Sequence, residues 1–376
     1  MSNNIFEVFS GKKILITGHT GFKGSWLSLW LSQKGAQLFG ISNEIPTQPS
    51  LFEALNLEEK MEHIILDIRD LASLKSEVNR IAPDFIFHMA AQPIVSLSYQ
   101  NPLDTLTTNA IGTANLLESA RYLENKCVVI CITSDKCYEN VEWVWGYKET
   151  DMLGGKDIYS ASKAAAEIVI HSYFHSFIKK MPNIRMASVR AGNVIGGGDW
   201  AADRIVPDCV RSWSKGEKVE IRNPGATRPW QHVLEPLSGY LAIAADLWQS
   251  SELNGQSYNF GPPSQNNITV MELLKKLGKR WGLQNPEDIY IQTGELKFHE
   301  AGLLKLNCDK ALFDLQWQPT LAIDELIQFT GDWYYSYYHD QVDMAETTKD
   351  QIVLFEQKAF DKNIRWATQM DLSPIN

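Results

Sequence analysis

Residues 12–31 read KKILITGHTGFKGSWLSLWL. The first six of these residues are typical of a short buried strand, and the residues from Ser25 onward are typical of a helix. Three glycines, Gly18, Gly21 and Gly24, lie between them. Glycine lets the backbone turn tightly and approach a pyrophosphate, which the N-terminus of a helix attracts. The stretch therefore predicts a dinucleotide-binding turn, because an ordinary turn between a strand and a helix does not require three glycines at this spacing.

The chain continues to alternate between strands and helices up to about residue 195. Further strands are predicted at 36–42, 63–68, 84–89, 127–132 and 186–195, and helices at 70–81, 101–123 and 160–177. Six strands with helices between them predict an α/β fold, a Rossmann-type doubly wound parallel sheet.

The alternation fails after residue 195. The region 196–230 is rich in Gly, Pro, Arg and Trp and predicts substrate-binding loops, followed by a strand at 257–261 and helices at 270–281 and 322–338. We therefore expect a dinucleotide-binding domain from residues 1–195, with a return segment near 230–262. A smaller α/β substrate-binding domain is expected from residues 196–229 and 263–376.

Composition excludes several classes of function. The formal net charge is −10 and no basic block is present, which argues against a nucleic-acid partner. The N-terminus lacks the apolar region of a signal peptide, and no run of about 18 apolar residues predicts a membrane span. Five scattered cysteines without metal-type spacing predict reduced thiols in a cytoplasmic protein and no metal site.

The segment TSDKCY at 133–138 follows an apolar strand with polar, reactive side chains. Ligands of open α/β sheets bind outside the carboxyl ends of the strands, so Ser134, Asp135 and Lys136 are candidate catalytic residues. Tyr159 and Lys163 lie four residues apart at the start of a predicted helix, which puts them on one helix face. A lysine ammonium beside a phenol is expected to lower the phenol pKa from about 10. The Tyr159 phenolate could then take a proton from a substrate hydroxyl.

Candidate cofactor contacts lie in the glycine turn and at the ends of the neighbouring strands. They are Gly18, Thr20, Gly21, Phe22, Lys23, Gly24, Asp67, Ile68, Ala90, Ala91, Gln92, Asn109 and Thr133, together with Tyr159 and Lys163. Asp67 is expected to meet an adenine, whereas for Asn109 a cofactor contact and a purely structural role stay equally open. No Arg or Lys follows the strand at 36–42, which disfavours a 2′-phosphate and predicts NAD rather than NADP, although Lys23 is a mild contrary sign.

Candidate substrate contacts lie in the second half of the chain. Arg204, Arg222 and Arg228 suit a diphosphate, because arginine forms paired hydrogen bonds with phosphate oxygens. The alternative is that these arginines pair with surface carboxylates, and it stays open for Arg222 in particular. His299 and Lys305 are further candidates on the substrate side.

These motifs together resemble those of the extended short-chain dehydrogenase/reductases. The resemblance runs from about residue 12 to 310 and rests on the following segments: TGxxGxxG at 17–24, Asp67, AAQ at 90–92, TN at 108–109, Ser134 and YxxxK at 159–163. It implies NAD as the cofactor and a nucleotide sugar as the substrate. The family usually pairs through helices such as 101–123 and 158–177, so a homodimer or homotetramer is expected.

Within that family the chain resembles the nucleotide-sugar 4,6-dehydratases, which carry Asp then Glu after the Ser position. Here the pair is Asp135-Lys136, and this departure, with HTGFKGSWL at 19–27 and RPWQHV at 228–233, resembles the branch that acts on CDP-glucose. The resemblance implies loss of water from the sugar, for deoxysugar synthesis of the polysaccharide or O-antigen type. It also implies Asn193 as a contact of the sugar diphosphate. Nothing in the composition or spacing indicates a cytosine.

The family chemistry implies a role for each residue of the central cluster. Tyr159 takes the proton of the sugar O4, Ser134 hydrogen-bonds O4, and Lys163 holds the nicotinamide ribose. Asp135 protonates the departing O6, and Lys136 stands where the family has the base for the C5 proton. A free lysine titrates near 10.4, so this role requires Lys136 and Asp135 to share protons as a coupled pair. The alternatives are that Lys136 steers the diphosphate or forms a salt bridge with Asp135.

Two other functions stay open. A nucleotide-sugar 4-epimerase uses the same Tyr and Lys but needs no acid–base pair after Ser134, so Asp135 and Lys136 argue against it. A non-catalytic dinucleotide-sensing protein on this fold usually lacks the Tyr or the Lys, and both are present here.

Overall fold

Seven parallel strands form a central sheet with helices on both faces. The computed structural model describes residues 5–263, 268–283, 285, 288–293 and 303–368. The strands are β1 (Lys13–Thr17), β2 (Gln37–Ser42), β3 (Glu62–Ile65), β4 (Phe85–His88), β5 (Cys127–Ile132), β6 (Ile184–Arg190), β7 (Val194–Ile195), β8 (Val219–Ile221), β9 (Thr227–Arg228), β10 (Gln231–His232), β11 (Ser257–Asn259), β12 (Ile268–Thr269) and β13 (Tyr290–Gln292). The α-helices are α1 (Phe22–Gln33), α2 (Leu51–Ala54), α3 (Leu71–Ile81), α4 (Val95–Gln100), α5 (Pro102–Leu106), α6 (Gly112–Ala120), α7 (Ile158–Ser176), α8 (Ile205–Trp213), α9 (Leu234–Gln249), α10 (Val270–Trp281), α11 (Asp309–Leu315), α12 (Ile323–His339) and α13 (Met344–Asp361).

The order of the strands confirms the predicted doubly wound sheet. The strands lie in the order β3-β2-β1-β4-β5-β6-β11, and each neighbouring pair is parallel. The direction of winding reverses between β1 and β4. A crevice forms at such a reversal, outside the carboxyl ends of the strands, and ligands bind there. The strand predicted at 257–261 forms as β11 and extends the sheet beside β6.

The side chains of the central strands alternate between two hydrophobic cores. On one face Ile14, Ile16, Val128 and Ile130 pack with residues of α1, α9, α12 and α13. On the other face Leu15 and Val129 pack with residues of α3, α6 and α7. Successive residues of a strand point to opposite faces, so a strand covered on both faces needs a continuous apolar run.

The predicted C-terminal end of the sixth strand is wrong. The strand expected at 186–195 spans Ile184–Arg190, and Val194–Ile195 pairs instead with Gln231–His232. Asn193 has a positive φ of 52°, a left-handed conformation that interrupts an extended strand. The chain therefore turns away from the sheet before β7.

The prediction of loops for 196–230 is also wrong, because this region contains α8, β8 and β9. Val206, Val210 and Trp213 recur at helical spacing and are buried. Pro207 lies in the first turn of α8, where a missing N–H costs little. The surrounding glycines and prolines obscured this amphipathic pattern.

The C-terminal segment packs against the helix that follows the glycine turn. Glu356 of α13 accepts hydrogen bonds from Trp30 Nε1 (2.6 Å) and Lys34 Nζ (2.8 Å), both at the C-terminal end of α1. Trp366 stacks on Phe6 with their ring centroids 5.2 Å apart. In the part of the chain that the structure describes, no helix combines the length and apolar character needed to cross a membrane.

Candidate active site

The glycine turn fits the pyrophosphate of a dinucleotide. Gly18 has a positive φ of 75°, and a Cβ there would lie 2.7 Å from the Ala90 nitrogen. A Cβ on Gly24 would overlap the Gly18 carbonyl oxygen. Gly21 caps α1 without a side-chain hydrogen bond, so the first N–H groups of the helix have no side-chain acceptor. Such a helix terminus attracts an anion, and the residues present therefore fit NAD.

Asn109 links the end of β4 to the helix that carries Tyr159. Its Oδ1 accepts from the Gln92 backbone N–H (2.8 Å), and its Nδ2 donates to the Gln92 carbonyl (3.1 Å) and to Ser162 Oγ (2.8 Å). Ser162 Oγ in turn donates to the Tyr159 carbonyl (2.7 Å). Asn109 lies in a π-helical turn at 107–111 that interrupts the helix predicted at 101–123. Its amide is thus occupied by protein partners, in line with the structural alternative.

The predicted adenine contacts lie beyond the end of β3. Asp67 accepts from the Arg69 backbone N–H (2.8 Å) and from its guanidinium, and these hydrogen bonds lower the pKa of Asp67. Arg69 also pairs with Asp104. Ile68 is buried against Gly112, where a Cβ would meet the Ile68 side chain at 2.5 Å. Among the remaining predicted contacts, Thr20 donates its hydroxyl to the Glu44 carbonyl (2.7 Å).

Ser134 and Asp135 form a buried hydroxyl–carboxylate pair where β5 ends. Ser134 Oγ donates to Asp135 Oδ1 (2.9 Å) and accepts from the Lys136 backbone N–H (3.3 Å). The Asp135 carboxylate packs against Gly192, where any Cβ would overlap it. Only glycine at position 192 therefore leaves room for Asp135.

The side chain of Lys136 takes no part in this pair. Its side chain is half-buried, and it forms no ion pair with Asp135 or with any other carboxylate among the described residues. The salt bridge that the sequence left open between Lys136 and Asp135 is therefore absent.

Tyr159 and Lys163 are both buried in the first two turns of α7. Asp157 caps this helix by accepting from the Ser160 N–H (2.9 Å). Burial raises the pKa of Tyr159 to about 12, against the lowering effects of Ser134 and Arg204. Burial also lowers the pKa of Lys163 to about 8. The prediction that the Tyr159 pKa is lowered is therefore wrong for the protein without ligands. The free-energy cost of removing the phenolate from water exceeds the stabilisation that the nearby charges provide.

Three cationic side chains converge beside Tyr159. Lys23 reaches from the glycine turn, and burial, together with the charges of Arg204 and Lys163, lowers its pKa to about 8. Arg204 forms an ion pair with Asp199 (2.7 Å). Asp135 and Asp199 lie near Lys23, whereas Glu167, which acts on Lys163, is already paired with Arg190. The cluster therefore favours an anionic ligand.

A pocket opens beside Asp135. Its lining comprises Asp135, Gly192, Asn193, Pro229, Gln231, Gly261, Pro262, Leu304, Lys305 and Leu306. The sequence predicted the presence of Asn193 and Lys305 on the substrate side. It did not single out Gln231, whose Nε2 donates to the carbonyls of Gly192 (3.0 Å) and Phe260 (2.9 Å). The only signal for Gln231 was its place within the RPWQHV segment.

The other predicted substrate residues do not line this pocket. Arg222 is exposed and lies near Asp208, whose pKa is raised by burial against the opposing charges of Arg211 and Arg222. Asp208 itself pairs with Arg211. Arg228 belongs to β9, next to the pocket residue Pro229. His299 lies outside the described residues.

Comparisons with known proteins extend over nearly the whole chain. The family model described as GDP-mannose 4,6 dehydratase matches residues 15–330. CDP-glucose 4,6-dehydratase of Salmonella typhimurium is 45% identical over 348 residues, covering 92% of this chain and 96% of that relative. CDP-paratose 2-epimerase of Salmonella typhi is 24% identical and covers 85% of this chain and 98% of its own length.

Solved structures show the same fold. UDP-glucose 4-epimerase of Thermotoga maritima, solved with UDP-glucose, has a TM-score of 0.74 at 22% identity, covering 86% of this chain and 99% of its own. The dTDP-glucose 4,6-dehydratase DesIV of Streptomyces venezuelae was solved with NAD and TYD. It has a TM-score of 0.73 at 21% identity, and the match covers 86% of this chain and 96% of DesIV. The chain therefore belongs to the GDP-mannose 4,6 dehydratase family, NAD-dependent nucleotide-sugar enzymes with the Rossmann-type fold of the extended short-chain dehydrogenase/reductases.

Proposed function

We propose that this protein is a CDP-glucose 4,6-dehydratase, a hydro-lyase that converts CDP-glucose to CDP-4-keto-6-deoxyglucose and water. The observation that carries this proposal is the 45% identity, over 92% of the chain, to a relative named for that activity. The glycine turn and Lys163 would hold NAD, which would supply the acceptor for the C4 hydride and the donor of that hydride to C6, so that the cofactor would not be consumed. The product is suited to deoxysugar synthesis for a surface polysaccharide such as lipopolysaccharide.

The first task of the protein in this proposal is to remove the proton from the sugar O4. Tyr159 accepts this proton as a phenolate. Burial holds its pKa at about 12, so the phenol must first lose its own proton, a loss that the nearby Ser134 and Arg204 favour. Ser134 can turn its hydroxyl from Asp135 to O4, because the Lys136 N–H already holds its oxygen in place. Lys163, on the same helix face, holds the nicotinamide ribose.

The second task is to eliminate water across C5 and C6. The 4-ketone acidifies the C5 proton, and Lys136 removes it. Asp135 delivers a proton to O6, so that the C6–O6 bond breaks, water leaves and a C5=C6 double bond forms. Gly192 leaves room for the Asp135 carboxylate in the substrate pocket, where this group can reach a sugar hydroxyl. Lys136 has no carboxylate partner among the described residues, so we propose that it and Asp135 come to share protons once the sugar separates them from water.

The diphosphate of the substrate is proposed to lie across the cationic side of the site. Arg204 already faces Tyr159, and Asn193 lines the pocket beside Asp135. Arg228 adjoins the pocket through Pro229. Charge-assisted hydrogen bonds from such groups bind phosphate strongly.

We also propose that the protein is a cytoplasmic homodimer or homotetramer. Large apolar side chains are exposed on and beside α4 to α7: Leu97, Tyr99, Leu103, Ile111, Tyr122, Ile168 and Phe177. An apolar surface of this kind marks a protein interface. All five cysteines are free, as expected in a reducing compartment. We propose a dinucleotide-binding domain of residues 1–195 with a return segment near 230–262, and a substrate-binding domain of residues 196–229 and 263–376. The place of β11 in the central sheet supports the return segment.

The nucleotide preference is tested by incubating the enzyme separately with CDP-, dTDP-, GDP- and UDP-glucose. We expect a 4-keto-6-deoxy product from CDP-glucose, at a kcat/KM well above those of the other three. Preferential turnover of another nucleotide sugar contradicts the CDP assignment. Conversion to a C4 epimer without loss of water contradicts the dehydratase assignment.

Substituting Gly192 by Ala is expected to lower kcat by about 10²-fold, because misplacing a catalytic group by about 1 Å has an effect of that size. The new Cβ would displace the Asp135 carboxylate. Gly225→Ala is the control, since a Cβ there meets no atom closer than 3.9 Å. Steady-state kinetics and thermal melting of both variants check the result. Equal kcat values for Gly192→Ala and Gly225→Ala would show that catalysis does not depend on the exact position of the Asp135 carboxylate.

A further inference from the structure

A buried ion pair joins α7 to β6 one turn beyond Lys163. Glu167 follows Lys163 by four residues, and Arg190 is the last residue of β6. The guanidinium donates from Nε to Glu167 Oε1 (2.9 Å) and from Nη2 to Oε2 (2.8 Å). Both side chains are only 3% exposed. This is the paired geometry in which arginine and carboxylate bind most strongly.

The carboxylate of Glu167 also contacts the segment that carries the catalytic hydroxyl. The Thr133 hydroxyl donates to Glu167 Oε1, and the Ser188 hydroxyl donates to Oε2 (2.9 Å). Thr133 directly precedes Ser134. Glu167 therefore fixes α7, the end of β5 and the end of β6 against one another.

Arg190 extends the same network to the other side of the catalytic segment. Its Nη1 donates to the Tyr138 hydroxyl (2.6 Å) and to the Glu149 carbonyl (3.2 Å), and its guanidinium lies 4.9 Å from the centre of the Tyr138 ring. Tyr138 follows Lys136 by two residues. Arg190 precedes Gly192, which accommodates Asp135, by two residues. The pair thus contacts every segment that contributes a proposed acid or base.

A contribution to the stability of the fold does not by itself explain why a charged pair is buried at this position. Two charges lose their hydration when buried, and well-packed apolar residues of similar size are often as stabilising or more so. We propose that Glu167 and Arg190 are positioning residues that hold the Tyr159 helix in register with the segment 134–136. This inference rests on the proposed function, because it takes Tyr159 and residues 134–136 as the reacting groups.

The double variant Glu167→Met with Arg190→Met separates positioning from stability. The three hydroxyls that lose the pair keep other partners: Thr133 at the Val189 carbonyl (3.3 Å), Ser188 at Ser257 (2.8 Å) and Tyr138 at Asn259 (2.8 Å). The two partners are removed together, so neither is left buried without the other, and the fold should survive. We expect kcat to fall by about 10²-fold with little change in KM. A folded double variant with the kcat of the unchanged enzyme overturns the proposal.

A matched control removes an ion pair away from the site. Arg365 forms paired hydrogen bonds to Asp246 at 2.8 Å each, and it joins the C-terminal segment to α9. Asp246→Leu with Arg365→Met should change thermal stability while leaving kcat unchanged. An equal fall in kcat in this control would mean that any lost ion pair slows the enzyme, and it overturns the proposal.

Tyr138→Phe provides a milder second variant that keeps the ion pair. It removes only the hydroxyl that links Arg190 to the catalytic segment, and we expect kcat to fall on the order of 10-fold, the effect of one hydrogen bond to a charged group. Unchanged kcat in a folded Tyr138→Phe variant overturns the role of Arg190.

Amide hydrogen exchange gives a readout that does not depend on turnover. Peptides covering 133–138 should exchange faster in the Glu167/Arg190 double variant than in the unchanged protein, whereas the Asp246/Arg365 control should leave them unaltered. Unaltered exchange of these peptides in the double variant overturns the positioning role. If the unchanged protein dehydrates no nucleotide sugar, the proposed function fails, and the exchange comparison still decides whether the pair orders this segment.

Discussion

Replacing Tyr159 by Phe is expected to lower kcat by about 10²–10⁴-fold, the range for loss of a general acid–base group. The ring of Tyr159 is buried, so Phe preserves the packing while removing the hydroxyl that exchanges a proton with the sugar O4. Substrate affinity should change little, because the diphosphate is held by other residues. Initial rates over a range of CDP-glucose concentrations measure both quantities.

Tyr173→Phe is the matched control for this substitution. Tyr173 lies on the same helix, and its hydroxyl is 3.5 Å from Glu118, away from the Ser134 cluster. Its removal should leave kcat unchanged. Near-normal turnover of Tyr159→Phe would mean that another group takes the O4 proton.

Replacing Lys136 by Ala should slow exchange of the C5 proton with deuterated water by a similar factor, about 10²–10⁴-fold. The Lys136 side chain is half-buried without a carboxylate partner among the described residues, so its removal should leave the fold intact. Lys136→Glu should recover part of the exchange, because a carboxylate can also accept the C5 proton. Mass spectrometry or NMR of the recovered nucleotide sugar measures the deuterium at C5.

Lys148→Ala is the control for charge, since Lys148 is an exposed lysine of the following loop. If Lys136→Ala and Lys148→Ala both exchange C5 at the rate of the unchanged enzyme, Lys136 is not the base. If both slow the exchange equally, Lys136 acts through long-range charge, which is the alternative of steering the diphosphate.

The central sheet could be predicted from sequence because its determinants are local. Strands such as Cys127–Ile132 are buried on both faces and therefore read as continuous apolar runs. The glycine turn requires Gly18 and Gly24 for steric reasons that act within a few residues and the adjoining strand. These two signals identified the fold and the cofactor without knowledge of any distant contact.

The details of the site depended on contacts between distant segments. Gly192 matters because it faces Asp135, and Gln231 because it binds the Gly192 carbonyl. No pattern near either residue indicates its partner. The direction in which the Tyr159 pKa is shifted could not be predicted either. The spacing shows a neighbouring lysine but does not show how deeply the phenol is buried. Glu167 had a weak signal, as an acid on the same helix face as Lys163.

We infer that one chain removes water from CDP-glucose by moving hydrogen from C4 to C6 within a single sugar. The most direct measurement is to supply CDP-glucose that carries deuterium at C4, mixed with unlabelled CDP-glucose, and to analyse the product by mass spectrometry and NMR. We predict a 4-keto-6-deoxy sugar in which each labelled molecule carries its deuterium at C6, with no net accumulation of reduced cofactor. Deuterium scrambled between product molecules, or a stoichiometric build-up of reduced cofactor, would contradict hydrogen transfer within a single sugar.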